Sequence, residues 1–152
     1  MIGQEASRFH VNMTQSRINA ASIVVGIRLW VLGGCCYNDS SRTSEYVSII
    51  DGINSEVGPD LPKSLYVHAV VSLNETTAML IGGQQGDSNI SPTTYYYSHF
   101  TQHWTPGPNL LQNDILYSQA GIITDQITME EHVVAFGYYQ AMQFWTNPYE
   151  IK

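Results

Sequence analysis

The stretch Val31-Leu32-Gly33-Gly34 returns 49 residues later as Leu80-Ile81-Gly82-Gly83. At the same offset Gly58-Pro59-Asp60-Leu61 returns as Gly107-Pro108-Asn109-Leu110, and Tyr46 returns as Tyr95. Two glycine-containing motifs and an aromatic residue held at one spacing indicate an internal repeat. A period near 50 residues is typical of modular β architectures, in which one unit cannot bury its own apolar faces and packs against its neighbours.

The composition favours an all-β chain and restricts the classes of partner. Hydrophobic residues make up 43% of the 152 residues, whereas charged residues make up only 12%, and ten tyrosines suit half-buried strands. The net charge of −7 argues against nucleic acid binding and against electrostatic attachment to an anionic membrane. The longest apolar run, 20–32, is interrupted by Arg28 and is too short to span a bilayer.

Each unit is predicted to be a four-stranded antiparallel meander. In the second unit, apolar runs at 67–73 and 78–81 are predicted inner strands, and runs rich in aromatic residues at 93–98 and 102–105 are predicted outer strands. The first unit follows the same plan, with strands at 20–25, 28–32, 44–50 and 53–57. The third unit is longer, with strands at 116–124 and 132–136 and a further strand within 142–152.

The repeat resembles the kelch motif, in which a hydrophobic run ends in Gly-Gly and is followed by Tyr and then by Trp-x-x-Gly-Pro-x-Leu. The resemblance is best at 63–110, good at 17–61 and weaker beyond 111. The positions that carry it are Gly33, Gly34, Tyr46, Gly58, Pro59, His68, Gly82, Gly83, Tyr95, Trp104, Gly107, Pro108 and Leu110. The glycine pairs are expected to adopt positive φ, and Trp104 is expected to fill the gap between neighbouring units.

Kelch repeats form the blades of β-propellers, so the resemblance implies a partial β-propeller with two complete four-stranded antiparallel blades plus most of a third. The expected divisions are 1–16 (the tail of a preceding blade), 17–62, 63–111 and 112–152, the last incomplete and divergent. A closed ring needs at least about four blades. We therefore expect a piece of a longer propeller, partnered by the remaining blades of its parent chain, and the lack of an apolar signal segment in 1–13 agrees. Self-association of two arcs into a ring is the alternative.

One face of such a meander is a candidate binding surface. The loops after the second strands (35–44 and 84–92) and the connections after the fourth strands (62–66 and 111–116) open on the same face. The resemblance implies that this face contacts a protein or peptide ligand. The candidate residues are Tyr37, Asn38, Tyr66, Gln84, Gln85, Asp87, Asn113 and Asp114. The alternative is that they are ordinary solvated loop residues.

The sequence predicts no metal site and no cofactor. His99 and His103 lie at a strand–turn–strand position without a third ligand nearby, and Cys35 and Cys36 are interpreted as unpaired, partly buried thiols. His68 is interpreted as a hydrogen-bonded buried imidazole. Arg17 precedes an inner strand, but Lys63 or no basic residue takes its place in the other units, so a ring of arginines for an acidic ligand is not expected.

The sequence favours a non-enzymatic protein-interaction scaffold, because it contains no nucleophile elbow, P-loop or dinucleotide-binding motif. Four glycosylation sequons begin at Asn12, Asn38, Asn74 and Asn89 and favour a secreted parent protein. Two alternatives stay open. One is the substrate-recognition arm of an intracellular BTB-kelch ubiquitin ligase adaptor, and the other is a propeller enzyme of the copper oxidase type.

Overall fold

A computed structural model describes residues 12–36, 39–48, 55–87, 89–110, 119–137 and 142–148. Throughout these ranges the chain is all-β without a helix, and it forms three successive antiparallel sheets. Sheet A consists of β1 (Ala21–Val25), β2 (Arg28–Leu32), β5 (Ser44–Ser48) and β6 (Ser55–Val57). Between β2 and β5 the chain forms a separate small hairpin of β3 (Cys35–Cys36) and β4 (Asp39–Ser40).

Sheets B and C repeat the meander of sheet A. Sheet B consists of β7 (Ala69–Asn74), β8 (Thr77–Ile81), β9 (Thr94–Ser98) and β10 (His103–Pro106). Sheet C consists of β11 (Gln119–Thr124), β12 (Glu131–Phe136) and β13 (Met142–Thr146). The predicted all-β class and the sheets of four, four and three strands are confirmed. Of the predicted strand positions, 49–50, 53–54 and 116–118 lie outside the described residues.

Sheet B is covered on both faces, which explains its nearly continuous apolar runs. Successive residues of a strand point to opposite faces. On β8, Ala78 and Leu80 belong to a core shared with sheet A, whereas Met79 and Ile81 belong to a core shared with sheet C. All four side chains are at most 1% exposed. The middle sheet therefore joins two hydrophobic cores.

An aromatic cluster fills the junction between sheets A and B. The Trp30 ring lies 5.3 Å from Tyr46, 4.5 Å from Tyr97 and 5.6 Å from Trp104, measured between centroids. Trp30 is fully buried, and its Nε1 donates to Ser44 Oγ at 2.8 Å. Trp104 comes from the outermost strand of sheet B and is only partly buried against this cluster. At the equivalent position sheet A has Ser55 (the first residue of β6).

Trp104 should contribute less to stability than a fully buried tryptophan. Truncation of a large buried aromatic residue lowers the free energy of unfolding by about 3–5 kcal/mol. Because Trp104 is only half-buried, we expect Trp104→Ala to lower it by about 1–3 kcal/mol. Its buried Nε1 has no hydrogen-bond partner among the described residues, so Trp104→Phe should be much milder. Urea unfolding followed by fluorescence measures both variants. Equal losses of stability for Trp104→Ala and Trp104→Phe would contradict a role for the aromatic ring in packing against Trp30 and Tyr97.

The glycine motifs occupy equivalent conformations in sheets A and B. Gly33 and Gly82 have φ of 58° and 61°, and Gly34 and Gly83 have φ of 96° and 101°. A hydroxyl holds each Gly-Pro turn: Ser44 Oγ donates to the Pro59 carbonyl at 2.8 Å, and Thr94 Oγ1 donates to the Pro108 carbonyl at 2.6 Å. These hydroxyls occupy the space that a Cβ at Gly58 or Gly107 would need.

The tyrosine that takes the place of Tyr46 in sheet B is Tyr96. Tyr46 lies opposite Trp30 across β5 and β2, and Tyr96 lies opposite Met79 across β9 and β8. Trp30 and Met79 are 49 residues apart, whereas the two tyrosines are 50 apart. The extra residue is in the loop between Gly83 and Thr94, so the sequence alignment with Tyr95 is one position out of register.

Candidate binding face and central pocket

The loop face is the end of the sheets at which the glycine pairs lie. There the loop after β2 is bonded to the connection between sheets A and B, with Leu61 N donating to Arg42 O at 2.7 Å and Leu65 N donating to Ser41 O at 3.3 Å. In sheet B, Leu110 N donates to Pro92 O at 2.8 Å. Equivalent loops and connections therefore lie side by side on this face in both sheets.

Four of the eight candidate binding residues lie together on the loop face. Tyr66 and Gln84 exchange two backbone hydrogen bonds of 3.0 and 2.9 Å, and Gln85 and Asp87 follow in the same loop. Gln85 N donates to Asn89 O at 2.9 Å, and Asp87 Oδ1 accepts from Asn89 N at 3.1 Å. Asp87 is exposed and the other three are half-buried. Tyr37, Asn38, Asn113 and Asp114 lie outside the described residues.

Arg17 is committed to a buried ion pair and does not present its charge to a ligand. Its Nη2 lies 3.0 Å from Glu45 Oε1, and the side chains of both residues are only 2% exposed. The Nη1 group donates to the carbonyls of Gly33 and Thr43, each at 2.8 Å. Arg17 thus ties the segment before β1 to the loop that follows β2.

Glu45 remains ionised despite its burial. Burial alone would raise the pKa of its carboxyl group, but hydrogen bonds from Thr14 N (2.7 Å, to Oε2) and from Arg17 lower the pKa below its usual value. Arg17 and Glu45 are 28 residues apart, so no local motif indicated this pair.

A pocket of about 430 Å³ lies where the first strands of the three sheets meet. Strand β7 contacts both β1 and β11, and each of these three strands is an edge strand of its sheet. Edge strands present unpaired backbone N–H and C=O groups. The pocket is lined by Ala20, Ala21, Ser22, Ile23, His68, Ala69, Val70, Val71, Ser72, Gln119 and Ala120. The side chains are mostly small, and none carries a formal charge while His68 is neutral.

His68 is buried, but the prediction that it is hydrogen-bonded is wrong within the described residues. It is 4% exposed, and neither ring nitrogen has a hydrogen-bond partner there. The ring packs against Gly33 of sheet A, so that a Cβ at Gly33 would lie 2.8 Å from His68 Cε1. Burial lowers the pKa of His68 to about 4. The imidazole is therefore neutral at pH 7.

The segment before β7 is strained. Val67 has φ of 47°, a conformation that β-branched residues rarely adopt. Asn19 occupies the equivalent place before β1 with φ of 55°, and its carbonyl accepts from Val67 N at 3.0 Å. Asparagine tolerates this conformation more readily than valine. The strain lies between Tyr66 on the loop face and His68 in the pocket.

His68 should make the stability of the chain depend on pH. Because its pKa is about 4 in the folded chain and 6.5 as the reference value, the unfolded chain binds the proton first as the pH falls. The stabilisation is complete above pH 6.5 and is lost as the pH falls towards 4. We expect a loss of about 2 kcal/mol between about pH 7.5 and 5. Urea unfolding of wild type and His68→Leu measures it, and equal pH slopes would contradict it.

Of the histidines and cysteines considered as metal ligands, His99 and His103 are both exposed, and Cys35 is a half-buried free thiol. The described part of the chain contains no group of three or more His, Cys, Asp or Glu residues arranged to hold a metal ion. Within the same ranges no helical segment has the length and hydropathy needed to cross a bilayer.

Neither models of known protein families nor curated proteins gave a match to this chain.

Proposed function

We propose that the chain is part of a kelch-type β-propeller and serves as a non-enzymatic interaction scaffold for a protein or peptide ligand. The observation that carries the proposal is the recurrence of one loop geometry, at equivalent positions, on one face of two successive sheets. A rigid set of strands that holds several loops side by side is a common basis for recognition.

The arrangement of the sheets supports the propeller assignment. The first strand of sheet B lies beside the first strands of sheets A and C, and the three edges surround a common pocket. Both faces of sheet B are covered by its neighbours. Radial stacking of four-stranded meanders around an axis has these two properties. The 49-residue repeat supports the same assignment.

The loop face offers the groups that peptide recognition uses. Tyr66 supplies a half-buried aromatic side chain, Gln84 and Gln85 lie next to it, and Asp87 supplies an exposed carboxylate. Aromatic anchors surrounded by polar groups are typical of interaction surfaces. The backbone bonds that fix Tyr66 to Gln84 hold this set in place before a ligand binds, which lowers the entropic cost of association.

Panning of a random peptide library on the purified chain tests this proposal. Binding of the selected peptides is then compared between wild type and a Gln85→Ala/Asp87→Asn variant, in which the asparagine keeps an oxygen for the turn bond to Asn89. Phe100→Ala is the control, because Phe100 is 84% exposed in the β9–β10 turn at the opposite end of sheet B. We expect at least about a tenfold loss for the loop variant and none for the control. The reverse pattern, or a library without binders, would overturn the proposal.

We also propose a secreted parent protein, which predicts glycan on the sequons. Asn12 and Asn89 are exposed, and Asn74 is half-buried at the end of β7. Expression through the secretory pathway of a eukaryotic cell, followed by peptide mass analysis with and without glycosidase, should show occupied Asn12, Asn74 and Asn89. Asn→Gln variants at each position provide the controls. Bare asparagine at all three sites would contradict secretion.

A further inference from the structure

The two outer faces of the stack, on sheets A and C, carry exposed apolar residues. On sheet A these residues lie beside the buried Arg17–Glu45 ion pair, because Glu45 pairs with Val31 on the same face. The outer face of sheet A carries Val24, which is 52% exposed, together with the half-buried Leu29 and Val47 that lie beside it in register. The outer face of sheet C carries Ile123 and Phe136, which are 49% and 50% exposed. Most strand-borne apolar residues of sheet B, by contrast, are buried.

The repeat shows what kind of surface covers such faces. Leu29 and Val31 on the outer face of sheet A are equivalent to Ala78 and Leu80 of sheet B. In sheet B these two residues are completely buried by sheet A. The outer face of sheet A therefore has the character of a face that receives a preceding sheet.

The outer face of sheet C has the complementary character. Phe136 precedes Gly137 as Ile81 precedes Gly82, so Val134 and Phe136 are equivalent to Met79 and Ile81. Those two residues are fully buried in the core that sheet B shares with sheet C. This face therefore has the character of one that receives a following sheet. One chain thus carries both halves of the same sheet–sheet junction.

We propose that two copies of this chain associate through their outer faces, with sheet C of each copy packed against sheet A of the other. Two equivalent junctions form about a two-fold axis and give a closed ring of six sheets, three from each copy. The first strands of the second copy enclose the open side of the central pocket, which one copy leaves incomplete. This goes beyond the proposed ligand binding, which uses the loop face of each copy.

The complementarity of the two outer faces supports a second copy as the occupant, because the junctions of sheet B with sheets A and C show both kinds of face packed against a neighbouring sheet. Because each copy has a net charge of −7, the association is driven by apolar burial against charge repulsion. Added salt should therefore strengthen it.

Sedimentation equilibrium at about 100 µM, well above the Kd of a micromolar complex, tests the proposal. Wild type should be a dimer. Val24→Lys places a charge on the outer face of sheet A and Phe136→Lys places one on sheet C, and each variant alone should be monomeric. A mixture of the two should dimerise again, because one junction then joins two unaltered faces. Ile127→Lys, at a position 93% exposed in the β11–β12 turn, is the control and should dimerise as wild type does.

Each other outcome overturns the proposal. A monomeric wild type would assign the outer faces to sheets of a longer chain. A dimer that survives one of the two face variants would indicate contact between like faces. If both variants are folded, as melting curves like that of wild type would show, failure of their mixture to dimerise would also contradict a junction between sheet A and sheet C. A series of ever larger oligomers would indicate an open filament. Peptide binding at the loop face is measured separately, so the two proposals fail independently.

Discussion

Glu45→Gln should lower the free energy of unfolding by about 3–5 kcal/mol, the cost of leaving one member of a buried ion pair without its partner. Arg17 and Glu45 are each 2% exposed, so water cannot solvate the guanidinium once the carboxylate is removed. The neutral amide has a single oxygen, so its NH2 group would face either the Arg17 donors or the Thr14 N–H. The loss therefore includes desolvation and a broken hydrogen-bond network.

A surface ion pair on the same sheet provides the matched control. Arg28 Nη1 lies 3.0 Å from Glu56 Oε2, but the two side chains are 42% and 65% exposed. Exposed pairs contribute at most about 1 kcal/mol, so Glu56→Gln should be nearly neutral. Urea unfolding at neutral pH measures both variants. Similar small losses for the two would contradict the structural importance of the buried pair.

The Glu45→Gln effect should also depend on pH. The pKa of Glu45 is lower in the folded chain than its usual value of 4.5, so the pair stabilises the fold fully above about pH 4.5 and loses this contribution as the pH falls further. The difference between wild type and Glu45→Gln should therefore narrow in acid. A difference that grew as the pH fell would contradict this assignment.

Gly83→Ala should cost about 3–5 kcal/mol, because two penalties coincide at this position. Its φ of 101° is strained for any residue with a side chain. A Cβ would also lie 2.7 Å from His68 Cβ and 3.1 Å from the Tyr66 carbonyl oxygen. Both neighbours belong to the segment that leads into β7, so relief of the clash would displace the first strand of sheet B.

Substitutions at two other glycines allow the cost of positive φ to be measured apart from the cost of a steric clash. Gly26 has φ of 58° but nothing within 4 Å of an added Cβ, so Gly26→Ala should cost only about 1–2 kcal/mol. Gly121 lies in β11 without positive φ and with nothing within 4 Å, so Gly121→Ala should be neutral or stabilising by up to about 1 kcal/mol. Melting curves that rank the three variants in another order would contradict the close approach at Gly83.

The local features of the fold could be predicted from the sequence. The apolar runs and glycine pairs located β2 at 28–32 without error, and they located β8 and β9 to within one residue. Alternation and turn residues depend on neighbours in sequence, so a single chain reveals them. The third strand of sheet C was predicted only as a range, and it occupies Met142–Thr146.

The features that could not be predicted depend on contacts between distant residues. The surroundings of His68 include Gly33, which lies across the junction with sheet A. The charge of Arg17 is neutralised by a carboxylate on β5. The hydroxyls of Ser44 and Thr94 bond to Gly-Pro turns that lie 15 and 14 residues further along the chain, so no neighbour in sequence indicates their role.

Because of these two hydroxyls, the alignment of the strands does not depend on the length of the loop that follows each glycine pair. Each one restores the register at the start of the third strand, whether nine (35–43) or ten (84–93) residues intervene after the glycine pair. Additions to the loop therefore accumulate outward, away from the core. The same strands can therefore carry loops of different length, with little consequence for folding.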